Sequence, residues 1–122
     1  MIASGADIIF TAAGGVNNGV VEAAITQTKS NPSQPISVIG VDRDMYQDGV
    51  YDGDKSVILT SAVKNTGKAV FSAIQILKEG QTPPDVSYLN VADGYVGLPE
   101  QNPNLANEQA LIDEAKASLQ QA

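Results

Sequence analysis

The 122-residue sequence contains no cysteine and no histidine. Without cysteine there is no disulfide framework and no thiol nucleophile, and the cellular compartment is left open. Without histidine, the commonest general base and the commonest transition-metal ligand are both missing. Ser–His and Cys–His catalysis therefore cannot be assembled from this chain alone. No cofactor is expected. Any metal site would have to be built from carboxylates, which suits Ca²⁺ or Mg²⁺. No apolar run approaches the length that crosses a bilayer. The opening residues, Met1-Ile2-Ala3-Ser4-Gly5, carry neither a charged stretch nor an apolar one, so no signal peptide is expected there. Positive charge is scarce as well. Seven Lys and Arg against 14 Asp and Glu give a net charge of −7. The basic residues are scattered and make no patch for phosphates, so nucleic acid is disfavoured as a partner.

What is present is an ordinary globular composition, 43% hydrophobic, in a chain long enough to bury one core. Ile8-Ile9-Phe10 reads as a buried strand running into a loop of small residues, Ala12-Ala13-Gly14-Gly15. A helix follows, with Val20, Val21, Ala24, Ile25 and Thr28 on one face and Asn17 or Asn18 as its cap. Asn31-Pro32 ends it. Ser37 to Val41 forms the second strand, closed by Asp42. A polar loop follows, with turn signals at Asp48-Gly49 and Asp52-Gly53. Val57-Ile58-Leu59 forms the third strand, ending near Ser61. Thr66 then caps a helix whose buried face carries Val70, Ile74 and Leu77, with Phe71 beside it and Gly80 after its end. Beyond Pro83-Pro84, residues 86–89 and 94–97 read as a hairpin around Ala92-Asp93-Gly94. A last helix begins near Leu105, with Leu111, Ala115 and Leu119 on one face.

Strands alternating with helices predict an α/β fold with a parallel sheet. Such sheets bind ligands outside the carboxyl ends of their strands. That edge should gather Phe10, the Gly14-Gly15 loop, Asp42, Asp44, Ser61 and Lys64. Asp42 can accept two hydrogen bonds, for instance from a vicinal diol. Lys64, on a neighbouring strand, can donate to a ligand or pair with Asp42. Asp44 is better read as holding its own loop. The glycines match neither G-x-G-x-x-G nor G-x-x-x-x-G-K-[ST]. They read as a tight turn, although the helix they open favours a polar or anionic partner. Phe10 is a core position unless its place beside the strand end makes it a stacking surface. Tyr46 and Tyr51 are open as rim residues.

Taken in order, Gly5-Ala6-Asp7-Ile8-Ile9-Phe10, Ala13-Gly14-Gly15 with Asn18-Gly19-Val20, Val38-Ile39-Gly40-Val41-Asp42, Leu59 to Asn65 with Lys68-Ala69-Val70, and Gly94 to Leu98 resemble the basic membrane protein family. These are substrate-binding lipoproteins of ABC transporters, purine nucleoside receptors among them. The resemblance implies a type I periplasmic-binding-protein fold with two α/β lobes that close on a ligand. This chain would supply about the last third. Residues 1–82 would be the C-terminal ligand-binding lobe, and residues 83–122 a hinge-proximal hairpin and helix of the same domain. The other lobe, the signal peptide and the lipidated cysteine would lie outside this sequence. The protein would then be extracytoplasmic and lipid-anchored, would work with a transporter permease, and would not be an enzyme. The family's nucleoside site carries over to Phe10 stacking on the base, Asp42 holding the ribose hydroxyls and Lys64 beside it. Ala12 falls where a glycine gives a backbone contact. Surface that meets the other lobe would be bare, so self-association of this chain is expected. Two other readings remain open on the residues alone. One is a ligand-sensing module of a transcriptional regulator. The less favoured one is a receiver-like phosphoacceptor on Asp42, for which the first strand's end, Phe10-Thr11-Ala12-Ala13, lacks the needed acids.

Overall fold

In the computed structural model, which describes residues 1–120, the expected alternation is present. It runs β1 (Ile8–Phe10), α1 (Asn17–Ser30), β2 (Ser37–Asp42), β3 (Val50–Asp52), β4 (Lys55–Ser56), β5 (Ile58–Lys64), α2 (Thr66–Lys78), β6 (Val96–Gly97) and α3 (Gln109–Gln120). The main sheet has the order β1-β2-β5-β6. Its first three strands are parallel, with Phe10 opposite Ile39 and Asp42 opposite Val63. The carboxyl ends of β2 and β5 therefore finish level. β3 and β4 form a small antiparallel ribbon turned at Gly53, whose φ of +59° places it in the left-handed region that glycine adopts freely.

The core lies on one face of this sheet. Ile9, Val38 and Ile58 meet Val21 and Ala24 of α1, with Ile36, Met45 and Val57 completing the cluster. This is the expected inward face of α1, and Thr28 on the same stripe accepts the Ile36 N–H at 3.0 Å. Gly40 is required here by space. A β-carbon at that position would stand 2.8 Å from Ser61 Oγ and 2.9 Å from Met45 Sδ. The chain after β2 folds back onto this gap, and the Met45 N–H donates to the buried Ser61 Oγ at 3.1 Å.

Several expectations change. β5 runs to Lys64 rather than ending near Ser61, because its outer edge finds further pairing. That pairing replaces the expected hairpin. Val96–Gly97 lies antiparallel on β5, with Val63 opposite Gly97 and Lys64 opposite Val96, while residues 86–89 take no strand. The turn between them does form, closed by Gly94 N–H to Val91 O at 3.0 Å and Tyr95 N–H to Asn90 O at 3.1 Å. Nearer its start, the same edge of β5 is satisfied by side-chain amides. Asn102 Nδ2 donates to Leu59 O and Asn104 Nδ2 to Ile58 O.

The helix caps also differ. α1 begins without a side-chain cap, because Asn17 is turned inward, where it accepts from the Thr11 hydroxyl. Asn65, not Thr66, caps α2, its Oδ1 accepting the Lys68 N–H at 3.0 Å. The last helix starts at Gln109, preceded by a 3₁₀ turn over Pro103–Leu105. The largest difference is the orientation of α2. Val70, Phe71, Ile74 and Leu77 are more than half exposed, and the smaller Ala69, Ser72 and Ala73 face inward. Ser72 Oγ and the Tyr95 hydroxyl lie 2.9 Å apart, which turns the small side of the helix toward the 90–95 segment. Leu111 and Leu119 of α3 are likewise bare.

Candidate functional site

Asp42 is the last residue of β2, and its backbone is unusual. Its φ of +71° makes it the only non-glycine residue in the left-handed region among the described residues. The Arg43 N–H donates to Val41 O at 2.9 Å across it. A hydrogen bond spanning one residue with positive φ is a γ-turn of the rare, strained kind. An L-residue with this φ costs roughly 1–2 kcal/mol, and asparagine and aspartate tolerate it best. The turn swings the chain off the sheet and leaves the Asp42 carboxylate at the edge.

Lys64 ends β5 beside it. Its Nζ lies 2.9 Å from Asp42 Oδ1, and the two side chains keep 65% and 50% of their surface open to solvent. A pair so exposed contributes at most about 1 kcal/mol to folding. That small stabilisation does not account for a strained aspartate at this place. The carboxylate still has lone pairs and the ammonium still has protons available to a ligand.

The surrounding residues form a cleft of about 580 Å³, lined among others by Gly14, Gly15, Asn18, Asp42, Arg43 and Lys64. A small-molecule ligand site falls in this size range. One wall is the start of α1, entered from a 3₁₀ turn over Gly14–Val16 in which the Val16 N–H donates to Ala13 O and the Asn17 N–H to Gly14 O. Neither Gly14 nor Gly15 presents a side chain, so a ligand can approach that backbone closely. Gly14 itself has φ +55°. Arg43 reaches back to Asp48 with two hydrogen bonds, of 2.8 and 3.1 Å. The hydrogen bond and charge of Asp48 push the guanidinium pKa further up, so Arg43 stays cationic and its charge is already answered.

Of the five residues expected at the site, the structure brings Gly14, Asp42 and Lys64 into one cleft. Phe10 and Ala12 do not line it. Phe10 pairs with Ile39, three positions before Asp42, which is about 10 Å down the strand at 3.3 Å per residue. Its side chain shares a face with Ile8 and is 56% exposed, opposite the face where Ile9 meets the core. Asp44 holds its own loop, as expected, by accepting the Tyr46 N–H at 3.0 Å. Ser61 is buried in the fold rather than offered to the edge. The two loop tyrosines are occupied elsewhere. Tyr46 donates to Asp54 O at 2.8 Å, and Tyr51 packs against the core. Asp42 is partnered by a lysine instead of by further acids, and no group of three or more His, Cys, Asp or Glu is placed to hold a metal ion among the described residues. This leaves the phosphoacceptor reading without its acid cluster. Sequence reasoning missed Asn18 and Arg43 as lining residues. Their adjacency to Gly14-Gly15 and to Asp42 was the available signal.

Comparison with known proteins adds the following. A family model described as "ABC transporter substrate-binding protein PnrA-like" matches residues 1–121. The CD4+ T-cell-stimulating antigen of Listeria monocytogenes is 38% identical over 126 residues, an overlap that covers 98% of this chain and 35% of the antigen. The ABC transporter nucleoside-binding protein BmpA of Lactococcus lactis subsp. cremoris is 36% identical over 105 residues, covering 80% of this chain and 30% of that protein. Among solved structures, a transcriptional activator of the comK gene from Bacillus halodurans superposes with a TM-score of 0.76 over 96% of this chain and 38% of its own, at 24% identity. At that identity the likeness concerns the fold. The chain thus spans about a third of the length of the relatives it matches.

Proposed function

The chain belongs to the PnrA-like family of ABC transporter substrate-binding proteins, and from that premise we propose that it supplies one lobe of a non-catalytic solute receptor that holds a nucleoside, a purine nucleoside by preference, at the carboxyl edge of its sheet. The observation that carries this reading is the strained Asp42 turn with Lys64 at 2.9 Å in an open cleft. A carboxylate with two free acceptor sites suits the adjacent hydroxyls of a ribose. The lysine beside it can itself donate to a ribose oxygen. The Gly14-Gly15 backbone, open to close approach, offers N–H donors to the remainder of the ligand. The relative described as nucleoside-binding supports the ligand class.

The cleft is one-sided, whereas small ligands are bound with most of their surface covered. A second lobe, outside this sequence, would close over it by a hinge motion. Residues 1–82 would form the lobe proper, and residues 83–122 would run toward the hinge. A permease would receive the solute. No helix among the described residues is long and apolar enough to cross a membrane. Attachment would come from a lipid outside this sequence, on the extracytoplasmic side. Stacking on Phe10 and a backbone contact at Ala12 rest on the family resemblance, because the cleft does not include them.

Calorimetry of the full-length receptor with guanosine, inosine and adenosine tests the proposal. Saturable heat with at least one of them is expected, with a loss of about a hundredfold or more in Asp42→Ala, as when a partner of a charged hydrogen bond is removed. No heat with any nucleoside would remove the ligand assignment.

A further inference from the structure

Lys64 carries one half of the proposed ribose grip, yet its own strand ends there and its side chain is exposed. β2 pairs with its strand on one side as far as Val63, and on the other side its backbone is held by a two-residue strand, Val96–Gly97, opposite Val63 and Lys64, extended by the Asn65 N–H donating to Tyr95 O at 2.7 Å. A ladder this short does not hold itself. It is fastened from outside by Tyr95 and Lys68. The Tyr95 hydroxyl lies 2.9 Å from Ser72 Oγ on α2. The Lys68 ammonium stands 4.8 Å from the centre of the Tyr95 ring, within the range of a cation–π contact, and also donates to Asp93 O. The backbone N–H of Lys68 is in turn held by Asn65 Oδ1 at 3.0 Å. One lysine thus joins the residue after Lys64, the first turn of α2 and the 90–95 turn.

We infer that Tyr95 and Lys68 are positioning residues for Lys64, setting its ammonium against Asp42 by fastening the 90–95 turn to the end of β5. Neither has to touch the ligand. The inference rests on the proposed nucleoside site for its binding readout, and it has a second readout that needs no ligand.

The test is a double-mutant cycle in the full-length receptor. Tyr95→Leu is expected to weaken nucleoside binding about tenfold, to have little further effect when Lys64 is already methionine, and to leave the thermal midpoint nearly unchanged. Lys68→Met should behave in the same way, and Lys68→Arg should restore most of the loss. An equal loss from Tyr95→Leu in both backgrounds, or no loss in either, would overturn the inference. Should the wild-type receptor bind no nucleoside, the ligand assignment fails and ¹⁵N relaxation of the Lys64 ammonium decides the positioning role. Increased mobility of that group in Tyr95→Leu supports the role, and unchanged mobility contradicts it.

Discussion

Residues 1–64 and residues 65–120 are built on different principles. The first stretch contains the buried apolar cluster, from Ile9 to Ile58. In the second, Asn102 is the only buried residue among those described, and it is polar. The second stretch is attached along the edge of β5, by Val96–Gly97 opposite Val63 and Lys64 and by the Asn102 and Asn104 amides, and is pinned to itself by Tyr95 on Ser72 and Lys68 on the 90–95 turn. It also presents Val70, Phe71, Ile74 and Leu77 on α2 and Leu111 and Leu119 on α3 to solvent. The difference separates what folds from what docks. The buried cluster lies under the strands whose ends carry Asp42 and Lys64. α2 and α3 carry apolar faces that nothing covers among the described residues.

The largest effect should come from the core. Ile58 is fully buried, and Ile58→Ala should cost about 3–4 kcal/mol in urea unfolding, combining lost burial with the cavity left behind. Ile74 is more than half exposed on α2, so Ile74→Ser should change stability by less than about 0.5 kcal/mol. It should instead reduce self-association of the chain, seen as a lower weight-average mass by light scattering. A loss of stability at Ile74 equal to that at Ile58 would break the comparison. So would a chain that is monomeric before any substitution.

A smaller effect sharpens it at the boundary, where the core ends in the γ-turn. Asp42→Gly and Asp42→Ala both remove the carboxylate, and both should weaken ligand binding about a hundredfold. Only alanine keeps a β-carbon at φ +71°. Asp42→Gly should therefore be more stable than Asp42→Ala by about 1 kcal/mol in thermal unfolding. Equal stability would mean that the turn holds no strain.

This boundary also marks how far the sequence could be read. The order of elements, the inward stripe of α1 and the meeting of Asp42 with Lys64 follow from periodicity and from the rule that parallel strands end together. The face on which Phe10 lies was not legible because β1 has only three residues. In so short a run, nothing tells which alternate side chains meet the helix. The hairpin over 86–89 and 94–97 escaped because its second strand found a better partner in the open edge of β5. The turn at Ala92-Asp93-Gly94 was legible, its flanks were not. On α2 the apolar stripe was legible as a stripe, but a pattern of side chains states that a face needs covering without saying what covers it. The cap was misplaced by one residue because Asn65 and Thr66 are both capping types, and only the Asn65 side chain reaches the Lys68 N–H. The tether through Tyr95 and Lys68 joins residues 27 apart in sequence and has no local signature.

The central claim is that Asp42 reads the ribose hydroxyls. Isothermal titration of the full-length receptor with inosine and with 2′,3′-dideoxyinosine tests it most directly. Binding of inosine alone is predicted, together with the disappearance of that preference in Asp42→Ala. Equal affinity for both compounds in the wild-type receptor would contradict it.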